Sequence, residues 1–467
     1  MPETSTNPEN ALTRRVCLAL LGIAILALTL RVGAIVALKS WENPNAMEHA
    51  VIAQNLVEGR GYSFTGFRLF QKTSVQSPTM PFLLAASYKV FGVDSERAYG
   101  AVMMLNALIG AAGVPLVFLL ARRLGATACV GMLAALGYAV WPTQIYSASA
   151  TQVIVIVTVL VLVVVYLFYR SLDTGKLGPW IAFSLLGCFA ALTEPALLPP
   201  MALTGLLIFV WPCGFSFGKR LRNAAVLLGA AFVVLGPWTL RNYQVHDTFM
   251  PVKSSFWVNT WKGNNPYATG TDRLALTDAQ REALAEQSLL DADGLARDTN
   301  FDEYRQYSML TDAQMAELNG KPEAEREEVF KKYAQTWIGE HPAGYAKLSG
   351  IRLVKTLWLE WDNPRSQNLI YKATRTAFLA LTLIGIVLAL RSKWRLGFPL
   401  LIVGLPVVLI TLTITAARFI IPYEPIGLCL IGLVIATCWR AITGKAKDDQ
   451  PATETQPHNS TSPQPHA

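Results

Sequence analysis

Apolar residues in this chain gather into long segments that are separated by short polar turns. One segment, QVIVIVTVLVLVVVYLF (152–168), is apolar on every helical face, which is not the pattern of an amphipathic surface helix. Ten segments approach the roughly 20 residues that a helix needs to cross a bilayer. They predict an all-α integral membrane protein with about 10 (9–12) transmembrane helices, at 16–38, 98–121, 126–145, 152–169, 179–193, 196–213, 223–240, 374–390, 396–415 and 420–439.

Two longer segments interrupt this pattern. The first, at about 39–97, contains a helix-like stretch between Pro44 and Gly59 and the Pro-interrupted apolar stretch QSPTMPFLLAASYKVFG (76–92). Both stretches predict interfacial helices. The second segment, 241–373, is acidic and repeats LTDAQ at 276–280 and 310–314. Each repeat predicts a helix start, because threonine can cap a helix and aspartate favours its first turn. We therefore expect a small helical external subdomain.

Charge is sparse and asymmetric. Only 15% of the residues are charged, and the formal net charge is +8. Most lysines and arginines between the apolar segments fall on the side that also holds the two termini, which is the positive-inside pattern. The basic balance therefore reflects topology, and no nucleic acid is predicted as a partner. We expect a multi-pass protein of the inner or plasma membrane with both termini in the cytoplasm.

These boundaries divide the chain into five parts. No pair of broken helices repeats about a midplane, so the layout favours chemistry at the external face over alternating access. The parts are a cytoplasmic N-terminus (1–15), a transmembrane module with the first external loop (16–240), a large extracytoplasmic loop (241–373), C-terminal transmembrane helices (374–440) and a cytoplasmic tail predicted to be disordered (441–467).

The first external loop offers the clearest candidate for chemistry. In NPNAMEHAVIAQNLVEG (43–59), Met47, Val51 and Ile52 lie on one apolar stripe, while Glu48 and His49 occupy the first turn. A carboxylate near the bilayer boundary is suited to general-base catalysis. The alternatives are a carboxylate that favours the helix dipole and a histidine that is satisfied at the interface.

Six motifs in order give the chain a family resemblance. They resemble the GT-C type membrane glycosyltransferases, the superfamily related to protein O-mannosyltransferases and the lipid A aminoarabinose transferase. The resemblance implies a GT-C type helical bundle that transfers a sugar, with inversion, from a polyprenyl-phosphate donor to an extracytoplasmic glycan, lipid or protein. The motifs are IAQNLVEGRGYSF (52–64), QSPTMPFLLAASYKVFG (76–92), MLNALIGAAGVPLVFLLARRLG (104–125), AALTEPALL (190–198), RNYQVHDTFMPV with WKGNNPYATG (241–252, 261–270) and ARFIIPYEPIGL (417–428).

The resemblance also implies a catalytic base. Members of the family usually carry an acidic residue or an acidic pair just ahead of the A-x-x-L stretch. Here Asn45 and Ala46 occupy that place, and Glu48 is the acid that remains. Glu48 is therefore the first candidate for the base, and Glu42 is the second.

The donor phosphate needs positively charged partners. Aminoarabinose-transferase-like members carry a lysine before the proline that begins the second loop helix, where this chain has Ser77. Lys72, Arg241 and Arg418 are the cations available to replace it. Arginine suits phosphate through its bidentate fork, and an arginine at membrane depth is a functional candidate. Interfacial snorkelling is the alternative for Arg418.

The second loop contains aromatic and amide side chains that suit contact with a sugar or a lipid head. Trp261, Asn264, Asn265 and Tyr267 are the candidates there, and His49 is the candidate in the first loop. The Asn-Asn-Pro sequence is equally compatible with a turn that has no binding role. Glu194 is expected to cap the next helix, and an ion pair with Arg418 or Arg241 is the alternative.

No certain cofactor and no metal site are predicted. The five histidines form no metal-binding motif, so a divalent metal is not indicated. The expected partners are the lipid-linked donor, the acceptor and membrane lipids. Two other functions stay open: a transporter or flippase of lipid-linked precursors, and a degenerate family member that binds without transfer.

Overall fold

The computed structural model describes residues 13–271 and 310–443, most of which are helical. The first helices are α1 (Arg14–Leu38), α2 (Met47–Val57), α3 (Thr79–Phe91), α4 (Glu96–Leu124), α5 (Ala128–Val140), α6 (Pro142–Tyr146), α7 (Ile154–Thr174), α8 (Leu177–Thr193), α9 (Leu198–Leu207), α10 (Phe217–Val234) and α11 (Gly236–His246). Later in the chain come α12 (Phe256–Gly263), α13 (Asp312–Leu318), α14 (Glu323–Glu340), α15 (Pro342–Leu357), α16 (Leu369–Arg391), α17 (Gly397–Leu412) and α18 (Glu424–Thr443).

The ten predicted apolar segments all fall on helices, but they are not ten long spans. Within the described residues, five helical segments are long and apolar enough to cross a membrane: α1, α4, α7, α16 and Ala417–Thr443, which includes α18. The bent pairs α5 with α6 and α10 with α11 raise the number to seven. The other three apolar helices are shorter, with 10–17 residues. The chain is thus a multi-pass membrane protein, and the predicted count of about ten crossings is not confirmed.

The bend of 51° between α5 and the segment that begins with α6 has a local cause. Pro142 has no N–H to offer the carbonyl of Tyr138, so the helix breaks after Val140. Arg31 of α1 is fully buried and donates to the carbonyls of Tyr138 and Ala139 at 3.5 and 3.4 Å. The Arg31 guanidinium therefore provides hydrogen bonds to backbone carbonyls at the point where the helix breaks.

The packed centre of the bundle combines large rings with close helix contacts. The ring of Phe168 in α7 stacks on that of Phe398 in α17, with centroids 4.0 Å apart. Gly432 of α18 lies so close to α5 that a Cβ there would be 2.9 Å from the carbonyl oxygen of Val130. Small residues permit such close packing between helices in a membrane.

The first loop contains the two helices expected from the sequence, α2 and α3, and one element that was not expected. Strands β1 (Ser63–Gly66) and β2 (Leu69–Lys72) form an antiparallel hairpin, so the all-α prediction is wrong for this segment. The turn places Phe67 and Arg68 at φ values of 50° and 61°. The Asn-Gly or Asp-Gly pairs that usually mark such turns in a sequence are absent here, which explains the missed hairpin.

The second loop is helical where it is described. The Thr311 hydroxyl accepts a hydrogen bond from the Gln314 backbone at 3.3 Å, and the Gln314 side chain accepts one from the Thr311 backbone at 2.9 Å. This capping box starts α13 and confirms the helix start predicted at the second LTDAQ. The first LTDAQ and residues 444–467 of the predicted disordered tail lie outside the described residues, whereas residues 441–443 form the end of α18.

Candidate functional site

The backbone before α2 is unusual. Asn45 and Met47 both have a φ of 48°, a left-handed conformation that residues other than glycine rarely adopt. The segment before α7 fixes this turn, because Nε2 of Gln152 donates to the Asn45 carbonyl at 2.8 Å. The Thr151 backbone N–H also donates to the Pro44 carbonyl at 3.2 Å. Contacts from more than 100 residues away therefore set how α2 begins.

This start turns a polar face of α2 toward the protein. Glu48, His49 and Asn55 are only 9%, 5% and 4% exposed, and Ile52 beside them is fully buried. Val51 is 40% exposed. The apolar stripe predicted from the sequence is therefore only partly the buried face, and the candidate base lies inside.

The Glu48 carboxylate has one hydrogen bond among the described residues. Nε2 of Gln76, in the segment that leads into α3, donates to Glu48 Oε2 at 3.3 Å. The other oxygen, Oε1, accepts none within the described chain. A buried carboxylate with a free acceptor oxygen has the geometry that a general base requires.

His49 lies next to Glu48 and is neutral at neutral pH. Burial, the largest cause, and the positive charges of Lys253 and Arg418 together lower the pKa of the imidazole to about 3. The nearby Gln152 side chain acts on the pKa of the ring in the opposite direction. Nδ1 is buried, and no group of the described chain hydrogen-bonds to it.

Lys253 and Arg418 lie near enough to His49 for their charges to act on its ring. We call this group of residues the Glu48 cluster: Glu48, His49, Gln76, Gln152, Lys253 and Arg418. Within residues 13–271 and 310–443, neither cation forms an ion pair with a carboxylate. Arg418 lies in the short helical turn Ala417–Phe419, which is anchored by a 2.9 Å hydrogen bond from Ala417 N to Glu360. Cations without a counter-ion beside a buried site favour the binding of an anion.

Lys253 did not stand out in the sequence, because it is a single lysine in a loop. Both of its neighbours are tightly held. The Val252 carbonyl accepts from Trp238 Nε1 at 2.7 Å, and the Ser254 N–H donates to the Ser74 carbonyl at 3.0 Å. The lysine therefore extends from a fixed backbone.

Arg241 is committed to holding the first loop in place. Its Nη1 donates to the Thr73 carbonyl at 2.6 Å, and its Nη2 donates to the Tyr62 carbonyl at 3.0 Å. The guanidinium also lies 5.0 Å from the centre of the Trp238 ring. These contacts show that Arg241 stabilises the first loop. It does not belong to the Glu48 cluster.

The other three candidates from the first loop differ in their exposure to solvent. Lys72 is exposed at the end of β2. Glu42 is also exposed and pairs with Lys39 at 3.4 Å. Ser77 is 5% exposed, directly follows Gln76, and has an Oγ without a hydrogen-bond partner in the described chain. Of these three, Ser77 is the residue next to the Glu48 cluster.

The side-chain amides of Asn264 and Asn265 in the second loop form hydrogen bonds within the protein. Asn264 is fully buried, donating to the carbonyls of Thr260 and Thr413 and accepting from Arg352 at 3.0 Å. Asn265 donates to the Trp261 carbonyl at 2.9 Å and accepts from the Tyr267 backbone. These contacts are those of a structural turn.

The two aromatic candidates of the same loop differ. The Trp261 ring is buried in a small core and lies 5.5 Å from the Tyr333 ring. Tyr267 is 56% exposed. Glu194, as expected, caps the short turn that follows it, accepting from Ala196 N at 3.4 Å.

A buried carboxylate of the second loop positions the segments around the cluster. Glu323 of α14 accepts hydrogen bonds from the Ser74 backbone at 2.7 Å and from the Ser254 hydroxyl at 2.5 Å. These serines lie within two residues of Gln76 and Lys253. The second loop therefore holds both segments at a fixed separation. Among the described residues, no three His, Cys, Asp or Glu side chains come together as a metal site.

The sequence matches no protein-family model and no curated protein sequence. Solved structures do show a similarity. The archaeal oligosaccharyltransferase AglB from Archaeoglobus fulgidus, in complex with an inhibitory peptide and a dolichol-phosphate, aligns with a TM-score of 0.51 at 14% identity, over 94% of this chain and 53% of that chain. The apo form of the Archaeoglobus fulgidus oligosaccharyltransferase aligns with a TM-score of 0.52 at 13% identity, with the same coverage.

This chain spans about half the length of those oligosaccharyltransferases. ArnT from Cupriavidus metallidurans bound to undecaprenyl phosphate aligns at 14% identity over 94% of this chain and 82% of that chain, with a lower TM-score of 0.39. At such identities the similarity to the oligosaccharyltransferase concerns the fold. The chain therefore shares its fold with the archaeal oligosaccharyltransferase, in keeping with the resemblance of its sequence motifs to GT-C type membrane glycosyltransferases.

Proposed function

We propose that this protein is a membrane glycosyltransferase that moves a sugar from a polyprenyl-phosphate donor to an acceptor on the extracytoplasmic side. One observation carries the proposal. A buried carboxylate with a free oxygen, Glu48, shares a cluster with two cations, Lys253 and Arg418, that have no carboxylate partner in the described chain. The fold it shares with AglB, a protein whose structure contains a dolichol-phosphate, supports this choice.

In this proposal Lys253 and Arg418 bind the donor phosphate. The ammonium provides a compact charge and the guanidinium a planar fork, which together match the oxygens of a phosphate. Arg241, predicted for this role from the sequence, has no place in it because backbone carbonyls occupy its guanidinium.

Glu48 accepts the proton of the attacking acceptor hydroxyl. The hydroxyl oxygen forms a bond to the anomeric carbon as the bond between that carbon and the phosphate oxygen breaks. The polyprenyl phosphate leaves with the electron pair, and the two cations stabilise its charge. Attack opposite the leaving group inverts the anomeric configuration, and protonated Glu48 afterwards returns its proton to water.

The test is the substitution Glu48→Gln, which keeps the shape of the side chain and removes the base. A deletion strain is compared with its parent for envelope glycans and lipids, and variants are then expressed in the deletion strain. Loss of a general base costs about 10²–10⁴-fold in rate. We expect Glu48→Gln to lose transfer to this extent while inserting into the membrane normally.

Two other glutamates serve as controls. Glu58→Gln changes an exposed residue at the end of the same helix, and Glu42→Gln changes the second candidate base. Both should restore the missing product. Turnover of Glu48→Gln at the wild-type rate would exclude this base assignment.

A second candidate function is binding of polyprenyl phosphate without transfer. Asn45 and Ala46 favour it, because they stand where the family usually carries acids. Reconstituted protein that retains undecaprenyl phosphate but forms no product with any donor would support it. Movement of labelled lipid across reconstituted vesicles without transfer would instead indicate a flippase.

A further inference from the structure

The C-terminal half of α15 turns an apolar face outward and a polar face inward. Leu353, Val354 and Leu357 are 40%, 43% and 36% exposed, whereas Arg352 is fully buried and Lys355 is 3% exposed. A helix that meets water exposes its charged residues and buries its apolar ones. The pattern of α15 is therefore that of a helix whose outer face meets an apolar medium.

The inward polar face is hydrogen-bonded within the protein. Arg352 donates to the carbonyls of Thr411 and Gly263 at 2.6 and 2.5 Å. Lys355 Nζ donates to the Thr269 carbonyl at 2.9 Å. Burying a cation is costly unless such partners satisfy it. These contacts therefore fix the rotation of α15 about its axis and keep its apolar face outward.

The apolar face continues onto a membrane span. Helix α16 is long and apolar enough to cross a membrane, and Leu369 at its start is 79% exposed. Directly after α15, Nε1 of Trp358 donates to Thr376 Oγ1 at 2.9 Å. Thr376 lies roughly 10 Å along α16 from Leu369, at 1.5 Å per residue. The end of α15 therefore lies beside a part of α16 that is within the span.

We propose that the C-terminal half of α15, together with Trp358 and Trp361, lies among the lipids of the leaflet in which α16 begins. Lipid is the occupant of this face because the face is continuous with the surface of a membrane span. Tryptophan is enriched at membrane–water interfaces, where its ring is apolar and its N–H finds a polar partner. Trp361 is 40% exposed, and α15 is thus an interfacial helix.

The buried face of α15 and the segment after it hold the turn that carries Arg418. The hydroxyls of Thr356 and Thr415 form a hydrogen bond of 2.6 Å, and the Glu360 carboxylate accepts from Ala417 N at 2.9 Å. Both contacts lie within three residues of Arg418. The depth of α15 in the membrane therefore sets the depth of Arg418. In the proposed transferase, on which this step rests, Arg418 is kept at the level of the lipid headgroups, where a polyprenyl phosphate presents its phosphate.

A depth measurement tests the lipid contact without any substrate. An environment-sensitive fluorescent amino acid replaces Val354 in the full-length protein, which is placed in nanodiscs of phospholipids brominated on their acyl chains. We expect bromine to quench most of the fluorescence at this position. The same amino acid in place of Glu325, which is exposed on α14, should stay unquenched. Unquenched fluorescence at position 354 would overturn the proposal.

Photo-crosslinking identifies the occupant of the face. With 4-benzoylphenylalanine in place of Val354, we expect adducts with the phospholipid of the nanodisc or of the native membrane. Adducts with a second copy of the chain or with another protein, in place of lipid, would overturn the assignment of this face to the membrane.

Thr356→Val tests the link to Arg418, because it keeps the shape of the side chain and removes the hydroxyl. We expect it to bind undecaprenyl phosphate in nanodiscs about three- to tenfold more weakly, the effect of one lost hydrogen bond, while the fluorophore at position 354 stays quenched. Thr356→Ser keeps the hydroxyl and should bind as the wild type does. Thr376→Val, which removes the partner of Trp358, is the matched control and should also bind normally.

The lipid contact and the proposed function fail in different ways. Unchanged binding by Thr356→Val, or equal weakening in Thr356→Val and Thr356→Ser, would exclude the link to Arg418. If the protein is not a transferase, turnover is absent while quenching at position 354 persists. If α15 does not lie in lipid, quenching is absent whatever the activity.

Discussion

Gln76 donates a hydrogen bond to the Glu48 carboxylate across 3.3 Å, joining the segment before α3 to the first turn of α2. The two residues are 28 positions apart, so neither helix alone determines where the carboxylate points. The contact leaves Glu48 Oε1 free for another partner. The orientation of the candidate base therefore depends on a loop that Glu323 and Arg241 hold in place.

Gln76→Ala should lower the turnover of the proposed transfer reaction about tenfold or more. A hydrogen bond to a charged group contributes about 1.5–3 kcal/mol, and here it orients the carboxylate. The measurement is product formation at saturating donor. Gln54→Ala is the matched control, because Gln54 donates to the exposed Glu58 at the C-terminal end of the same helix. Equal activity of the two variants would argue against an orienting role for Gln76.

Lys253→Met and Arg418→Met should each weaken binding of undecaprenyl phosphate roughly tenfold or more, because each removes a charge-assisted contact to the phosphate. Binding to protein in nanodiscs measures the effect. Lys72→Met, which changes an exposed lysine on the hairpin, should bind as the wild type does. Undiminished binding by the double variant Lys253→Met, Arg418→Met would contradict the proposed phosphate site.

Arg241→Met should give the opposite pattern to the two phosphate variants. Loss of its hydrogen bonds removes the donor to the Thr73 carbonyl and leaves the Tyr62 carbonyl only the Thr73 backbone N–H, in a partly buried site. We expect a lower thermal unfolding temperature. Weak phosphate binding with unchanged thermal stability would instead return Arg241 to the binding site.

Glu327 should make the stability of the protein depend on pH. Burial raises the pKa of its carboxyl from 4.5 to about 8, although the backbone N–H groups of Trp257 and Val258 donate to it. Between these values the folded state holds a proton that the unfolded state has released. The free energy of unfolding therefore falls as pH rises from about 4.5 to about 8, and this dependence ends above that range.

Glu327→Gln imitates the protonated side chain and should remove this part of the pH dependence. Thermal unfolding of the purified protein between pH 5 and pH 8 measures it, with the largest gain over the wild type expected at the upper end. Glu325→Gln, two positions earlier on α14 and exposed, should keep the wild-type slope. The same slope in Glu327→Gln would assign the dependence to another group.

The buried ion pair between Arg375 of α16 and Glu424 of α18 should be costly to break from one side. Arg375 Nη1 lies 2.6 Å from Glu424 Oε1, and Gln144 Nε2 donates to Glu424 Oε2 at 3.0 Å. Removing one partner leaves a buried charge without compensation, which costs about 3–5 kcal/mol. Arg375→Met and Glu424→Gln should each lower the unfolding temperature strongly.

The double variant Arg375→Met, Glu424→Gln should unfold at a higher temperature than either single variant, because it contains neither uncompensated charge. Additive losses would indicate that the two residues act independently. The measurement is the thermal unfolding temperature in detergent of the wild type, the two single variants and the double variant.

Several features of the fold follow from local sequence patterns. The apolar segments, the helices of the first loop and the capping box at Thr311 depend on residues within a few positions of one another, so periodicity and capping reveal them. The hairpin at 63–72 escaped detection because Phe67 and Arg68 form its turn. The sequence also predicted full transmembrane spans where the structure has shorter apolar helices, because composition shows that a segment is apolar but does not show where its helix ends.

The candidate site likewise contains some residues that the sequence indicated correctly and others whose role only the structure reveals. The sequence indicated Glu48, His49 and Arg418 because they belong to motifs with a family resemblance or lie at a predicted membrane boundary. It also favoured Arg241 and Asn264, which the tertiary structure uses to hold backbone carbonyls. Residue type alone does not distinguish an arginine that can bind a ligand from one whose N–H groups already donate to backbone carbonyls.

The sequence by itself determined that this is a helical membrane protein with motifs that resemble those of the GT-C type glycosyltransferases, because hydrophobic pattern, charge and motif order are local properties of the chain. Only the tertiary structure decided that the polar face of α2 is buried, that Gln76 holds Glu48, and that Lys253 joins Arg418 beside His49. Those relationships depend on contacts between distant segments, such as Gln152 with Asn45 across 107 positions, and no local pattern encodes them.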